Sequence, residues 1–197
     1  MKPRPKPGAF TFFRQWLKNP LRTAAVAPSS AELAAAMIAE LPDNARRVIE
    51  LGGGTGAITQ ALLDAGIESE DLLVLELNEE LHAHLHALFP GVRVVLGDAR
   101  SLAQSARDSG YLESGPVDAI VSGLGLLTMP HPLQRDILAA AFGCLRAEGV
   151  FVQFTYGPIA PVADAVAEQL GLRVRRGDFV LRNVPPATVY VYERGLR

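Results

Sequence analysis

The chain has 197 residues, of which 49% are hydrophobic and 20% charged, with a formal net charge of −2. That size and apolar content fit one domain with a substantial core and exclude a disordered chain. No apolar run reaches the roughly 18 residues of a membrane-spanning helix. The start, MKPRPKPGAF, has no signal-peptide pattern. A lone Cys144 excludes an internal disulfide or a cysteine-based zinc cluster, and its free thiol suits core packing in a cytoplasmic protein.

Residues 1–31 hold six basic side chains (Lys2, Arg4, Lys6, Arg14, Lys18 and Arg22) and no acid. Thirteen basic and 21 acidic residues remain, a net of −8 for the rest. Such a basic head implies an anionic partner, with nucleic acid and anionic lipid as candidates and a solvated tail as the alternative. After an extended, proline-rich start, Phe12, Phe13, Trp16 and Leu17 recur at helical spacing opposite Arg14, Gln15 and Lys18, and Pro20 ends that helix. Pro28-Ser29-Ser30 caps a second helix to about Glu40. The boundary between an N-terminal extension and the main domain is therefore placed at 29/30.

Strands and helices then alternate. Strands are predicted at Arg47–Leu51, Leu72–Leu77, Val92–Leu96, Val117–Ser122, Val150–Tyr156, Arg173–Leu181 and Ala187–Glu193. Helices are predicted at Gly56–Ala65, Glu79–Phe89 with Asn78 as cap, Pro132–Arg146 and Pro161–Leu170. This order predicts an α/β fold, a seven-stranded and mainly parallel sheet with helices on both faces.

The most informative stretch is Val48-Ile49-Glu50-Leu51-Gly52-Gly53-Gly54-Thr55-Gly56, a strand running into a glycine cluster and then a helix. Glycines permit tight turns and close approach of a ligand to the backbone. Glu76 closes the next strand 20 residues after Gly56, where an acid can accept both ribose hydroxyls of an adenosine. The glycine spacing is not the dinucleotide fingerprint G-x-G-x-x-G. With Glu50 two residues before the first glycine, it resembles motif I of class I S-adenosylmethionine-dependent methyltransferases. Gly97-Asp98-Ala99 after the third strand matches that family's adenine contact. The resemblance implies a Rossmann-like fold and a cofactor held by Ser29, Ser30, Glu50, Gly52, Gly54, Gly56, Glu76, Leu77, Asp98, Ala99, Ser122 and Gly123. The fourth strand ends Val121-Ser122-Gly123-Leu124, without the Asn/Asp-Pro-Pro-Tyr tetrapeptide of base and amide N-methyltransferases, and so suits an aliphatic acceptor.

Over roughly residues 10–194 the chain is similar to bacterial phospholipid N-methyltransferases of the Rhodobacter-like type. The similarity rests on Phe12-Phe13 with Trp16-Leu17, Ala25-Val26-Ala27-Pro28-Ser29-Ser30, motif I, Val121–Leu124, Phe154-Thr155-Tyr156-Gly157-Pro158, and Arg182-Asn183-Val184-Pro185-Pro186-Ala187. Gly53 stands where that family commonly has proline, a departure expected to matter little. The resemblance implies conversion of phosphatidylethanolamine towards phosphatidylcholine, with S-adenosyl-L-methionine as donor and S-adenosyl-L-homocysteine as product. It implies a peripheral association with the inner face of the cytoplasmic membrane. Its partners are an anionic membrane surface and the phospholipid substrate, with no nucleic acid and no metal expected.

On that reading Arg14, Trp16, Lys18 and Arg22 form an interfacial anchor, with a lid over the fold as the alternative. Tyr156 hydrogen-bonds the amine or phosphate, or is a plain core tyrosine. Arg182 pairs with the phosphate, or is a solvated surface residue. His82, His84 and His86 read as a solvated helix surface rather than a metal site. The alternative functions are an rRNA adenine N6-dimethyltransferase-like enzyme, using the basic head on phosphates, and a noncatalytic cofactor-binding partner.

Overall fold

A computed structural model describes residues 30–195. The expected amphipathic helix near 10–20, the domain boundary, and the roles assigned to Arg14, Trp16, Lys18, Arg22 and Ser29 lie outside the described residues.

Seven strands run β1 Val48–Leu51, β2 Leu72–Glu76, β3 Arg93–Leu96, β4 Val117–Ser122, β5 Leu145–Tyr156, β6 Leu172–Val180 and β7 Ala187–Arg194. They form one sheet in the order β3-β2-β1-β4-β5-β7-β6. β1 to β5 are parallel, and β7 is inserted antiparallel between β5 and β6. Buried parallel strands read as continuous apolar runs, and here VIEL and LLVLE are buried at every position.

The period of two sends alternate side chains to two apolar layers. Ile49, Leu51, Leu73, Leu75, Ile120, Phe151 and Tyr192 join one; Val48, Leu72, Val74, Ala119, Val121, Val152, Val189 and Val191 join the other. Helices α1 Ala31–Ile38, α2 Ala57–Asp64 and α3 Glu79–Leu88 cover the second layer through Leu33, Met37, Ile58, Leu62 and Leu85. Helices α4 Leu102–Asp108, α5 His131–Cys144 and α6 Asp164–Gln169 cover the first. Two predicted caps form: the Ser30 side chain accepts from the Leu33 amide at 3.1 Å, and that of Asn78 from the Leu81 amide at 3.0 Å. Cys144 is buried, and burial raises its thiol pKa to about 11.

The differences from expectation are local: the helix expected at Pro132–Arg146 ends at Cys144, and that expected at Pro161–Leu170 is Asp164–Gln169. The sequence pattern does not announce helix α4, because it has only seven residues and buries only Leu102 and Ala106, too few to set a period. β5 starts at Leu145 rather than Val150, since Leu145 pairs with Val117 across an irregularity in the β4–β5 ladder.

Far from the glycine turn, at the opposite end of β1 and β4, a clasp holds the sheet. Asp118 accepts from the Arg46 and Arg47 amides at 2.8 and 2.9 Å and pairs with Arg146 at 3.2 Å. The Arg47 guanidinium lies 4.7 Å from the Tyr111 ring centre and donates to the carbonyls of Tyr111 and Gly115.

Candidate active site

The ladder places Leu51 level with Leu75 and Ser122, and Ser122 level with Gln153. The residues just beyond therefore gather at one edge, the carboxyl edge, where open α/β sheets bind ligands. Pairing continues one step further: Gly52 donates to the Leu75 carbonyl, Gly123 to that of Leu51, each at 2.8 Å, and Gly97 to that of Glu76 at 2.9 Å.

Gly52, Gly54 and Gly56 have φ of +74°, +56° and +86°, which side-chain-bearing residues rarely adopt. A Cβ on Gly123 would stand 2.9 Å from the Gly52 carbonyl oxygen, so the turns after β1 and β4 approach backbone to backbone. Gly53 is closed in from behind: its Cβ would lie 2.5 Å from Val74 Cγ1 and 2.9 Å from Leu85 Cδ1. A side chain on residue 53 would therefore require Val74 and Leu85 to shift. Gly56 caps α2 without a side chain, leaving first-turn amides to other acceptors.

Two carboxylates stand by this turn. Glu76 is nearly buried and accepts from the Gly54 amide at 3.0 Å and the Asn78 amide at 2.9 Å, joining the turns after β1 and β2. Glu50 is fully buried. One oxygen accepts from the Thr59 hydroxyl at 2.6 Å, while Oε1 has no partner. Desolvation is the main cause that raises its pKa from 4.5 to about 7; the Thr59 bond opposes this and the nearby Glu76 charge adds to it.

Leu77, beside Glu76, leaves 68% of its surface exposed. Asp98 is engaged by Arg100, accepting from its amide at 2.8 Å and pairing with its guanidinium at 2.6 Å, which holds the carboxyl below its ordinary range. Ala99 is half-buried on the core. Ser122 is fully buried, its Oγ accepting from the Leu124 amide at 3.3 Å. Tyr156 ends β5 half-buried, its ring 5.4 Å from Phe154 and edge-on to it, and burial raises its phenol pKa. Arg182 is exposed in the turn between β6 and β7. Ser30 reaches this edge too, its amide donating to Asn183 Oδ1 at 3.0 Å.

The structure thus brings twelve of the expected residues to the carboxyl edge: Glu50, Gly52, Gly54, Gly56, Glu76, Leu77, Asp98, Ala99, Ser122, Gly123, Tyr156 and Arg182. Ser30 sits at the same edge but spends its hydroxyl on capping α1. Three participants escaped the sequence reading. Thr59 holds Glu50. Gln153, fully buried, donates to the carbonyls of Leu124 and Phe154 at 2.8 Å each. Asn183 ties residue 30 to the β6–β7 turn and also donates to the Pro185 carbonyl at 2.7 Å. The available signal was polarity: Gln153 interrupts the apolar run Val150-Phe151-Val152, and buried polar groups need partners.

The donor set fits S-adenosylmethionine. Glu50 offers a buried carboxyl oxygen without a partner, Glu76 a carboxylate for hydroxyl groups, Leu77 an apolar surface, and the glycine turn a backbone open to close approach.

No protein-family model matches the chain. It is 34% identical over 153 residues, 76% of this chain and 78% of the relative, to an ornithine lipid N-methyltransferase of Singulisphaera acidiphila. Its fold is similar to that of the CcbJ methyltransferase from Streptomyces caelestis, with a TM-score of 0.65, 19% identity, and 86% and 91% of the two chains covered. It is also similar to the glycopeptide N-methyltransferase MtfA complexed with S-adenosyl-L-methionine, with a TM-score of 0.64, 15% identity, and 85% and 95% covered. The chain belongs to the family of the Singulisphaera lipid N-methyltransferase and is an S-adenosylmethionine-dependent methyltransferase of the class I fold.

Proposed function

We propose that the chain methylates the terminal amine of a membrane aminolipid at the bilayer surface. The observation that carries this reading is the chemistry of the segment after β4. Three of its carbonyls are engaged internally: Gln153 donates to that of Leu124, and Gln134 to those of Leu126 and Met129 at 2.9 and 3.1 Å, while Gln153 Oε1 is buried without a partner. Ser122 is closed on the Leu124 amide. Little is left to hold a planar base by hydrogen bonds, and the small apolar segment suits a flexible alkylamine. The relative's substrate, an ornithine lipid, supports the same class. Phosphatidylethanolamine, expected from the sequence, shares its chemistry of a primary amine near an anionic group, a phosphate in one and a carboxylate in the other.

Bound S-adenosylmethionine supplies an activated methyl group on a sulfonium, so the chain's task is alignment. Glu50 and the glycine turn would hold its amino-acid end, and Glu76 and Leu77 its nucleoside. Tyr156, its phenol shifted upward by burial, would hydrogen-bond the headgroup, and Arg182 would meet its anion. An alkylammonium has a pKa near 10, so the amine must release its proton before attack. No helix among the described residues is long and apolar enough to cross a membrane, and the lipid would be met from the surface.

Labelled S-adenosylmethionine should be offered with vesicles containing phosphatidylethanolamine, vesicles containing ornithine lipid, and ribosomal RNA. Label in either aminolipid is expected. Label only in RNA, or in no acceptor, overturns the reading.

A further inference from the structure

Three exposed large apolar side chains lie in the β6–β7 turn and in the segment that leaves β5. β6 is parallel to β5, so the β6–β7 turn lies where β5 ends, with Tyr156 level with Ala187 and Ala187 level with Val180. Two bonds join that turn to the segment leaving β5: the Gly157 amide donates to the Pro186 carbonyl at 3.2 Å, and the Thr188 hydroxyl to the Gly157 carbonyl at 2.7 Å. On this corner Leu181, Val184 and Ile159 leave 71%, 78% and 65% of their surfaces exposed. Between them Asn183 is buried and bonded on both sides, so the turn is braced from within while its apolar side chains face out.

Charge identifies the occupant. Residues 172–186 hold Arg173, Arg175, Arg176 and Arg182 against Asp178 alone, on a chain that is acidic beyond residue 31. Among the described residues Arg173 pairs with Glu193 and Arg175 with Glu40, while Arg176 and Arg182 have no carboxylate partner. Arg173, Arg175 and Arg176 lie in the first half of β6, whereas Arg182 stands in the turn itself between Leu181 and Val184. Aliphatic side chains beside an unpaired guanidinium suit an anionic bilayer, the apolar groups entering the interface and the guanidinium staying among the headgroups.

We propose that the β6–β7 turn, with Ile159 beside it, is a membrane-docking corner that seats the mouth of the site on an anionic lipid surface. This rests on the reading of the substrate as a membrane lipid. The same corner carries the amide bond to Ser30, so the basic, aromatic segment of residues 1–29 leaves the described fold at the docking surface.

Trp16 is the only tryptophan, which permits a direct test in the full chain. In a Trp16→Phe background, Leu181→Trp places one fluorophore on the corner. With phosphatidylglycerol vesicles its emission should shift to the blue and be quenched by lipids brominated along the acyl chain. Emission unchanged by vesicles that the protein binds, or no binding at all, overturns the proposal. Separately, Leu181→Asp with Val184→Asp should lower vesicle partitioning by about tenfold. Both positions are exposed, so melting temperature and S-adenosylhomocysteine affinity should hold; unchanged partitioning overturns the proposal. Methylation of an aminolipid without burial of the corner sinks docking alone, whereas burial without lipid methylation sinks the substrate reading alone.

Discussion

Glu50 combines full burial with an unpartnered oxygen, an arrangement that costs stability once the group is charged. Below pH 4.5 the carboxyl is protonated in both folded and unfolded chains. Between there and its folded value of about 7, the unfolded chain releases a proton that the folded chain keeps. Stability is therefore lost as pH rises through that window, by on the order of 3 kcal/mol. Glu50→Gln keeps an acceptor for Thr59 and removes the titration. Its melting temperature should gain on the wild type between pH 5 and pH 8, while affinity for S-adenosylhomocysteine at pH 8, where the wild-type carboxyl is ionised, falls because the anion is gone. Parallel pH dependence in the two proteins would refute the assignment. Glu76 differs: its two oxygens serve two amides, and in Glu76→Gln the amide group would face one of those donors. Charge-assisted bonds of this kind contribute about 1.5–3 kcal/mol each, so calorimetry should show S-adenosylhomocysteine affinity lowered at least about tenfold. Unchanged affinity in a folded variant would remove Glu76 from the site.

The elements holding these residues differ in how plainly the sequence announces them. β1, β2 and β4 are short apolar runs ending in glycine or acid, and their pairing follows from β-α alternation, so the carboxyl edge and most of its residues were readable. Helix α4 was not, because two buried positions set no period. Gln153 and Asn183 stood in the sequence as polar residues without visible partners. Those partners, Leu124 and Ser30, are 29 and 153 positions away, and such separations are fixed by the tertiary fold rather than by local pattern. Gly53 shows the same limit. The turn chemistry marked it as one glycine among several, yet Val74 and Leu85 are what deny it a side chain. Gly53→Ala should cost about 1–3 kcal/mol through overpacking, read as a lower midpoint in urea. It should also weaken cofactor binding, since the displaced turn carries the Gly54 amide that meets Glu76. A variant of unchanged midpoint would mean that Val74 and Leu85 yield without strain.

At the scale of the molecule, charge and topology point the same way. The carboxyl edge carries the glycine turn, the β6–β7 turn and the point where residue 30 enters the fold, and the segment before residue 30 holds six basic residues and no acid. Deleting residues 1–22 removes all six and leaves thirteen basic against 21 acidic residues, a net of −8. An anionic bilayer would then repel the remainder. Three aliphatic side chains at one corner would be too few to hold it there, whereas each basic residue near anionic lipid contributes about 1 kcal/mol and Trp16 favours the headgroup level. The truncated chain should leave the vesicle fraction in a flotation assay with phosphatidylglycerol. It should still melt as the full chain does, because Ser30, which caps α1 and meets Asn183, is retained. Raising the salt should release the full chain as well, since exposed charges are screened within about 8–10 Å. Equal flotation of the truncated and full chains would move the anchor off the basic head, and equal binding of the full chain to neutral vesicles would remove charge from its attraction. Cofactor affinity measured on the same truncation separates anchor from lid. Retained affinity assigns the head to membrane attraction alone, and a joint loss assigns it to closing the site as well.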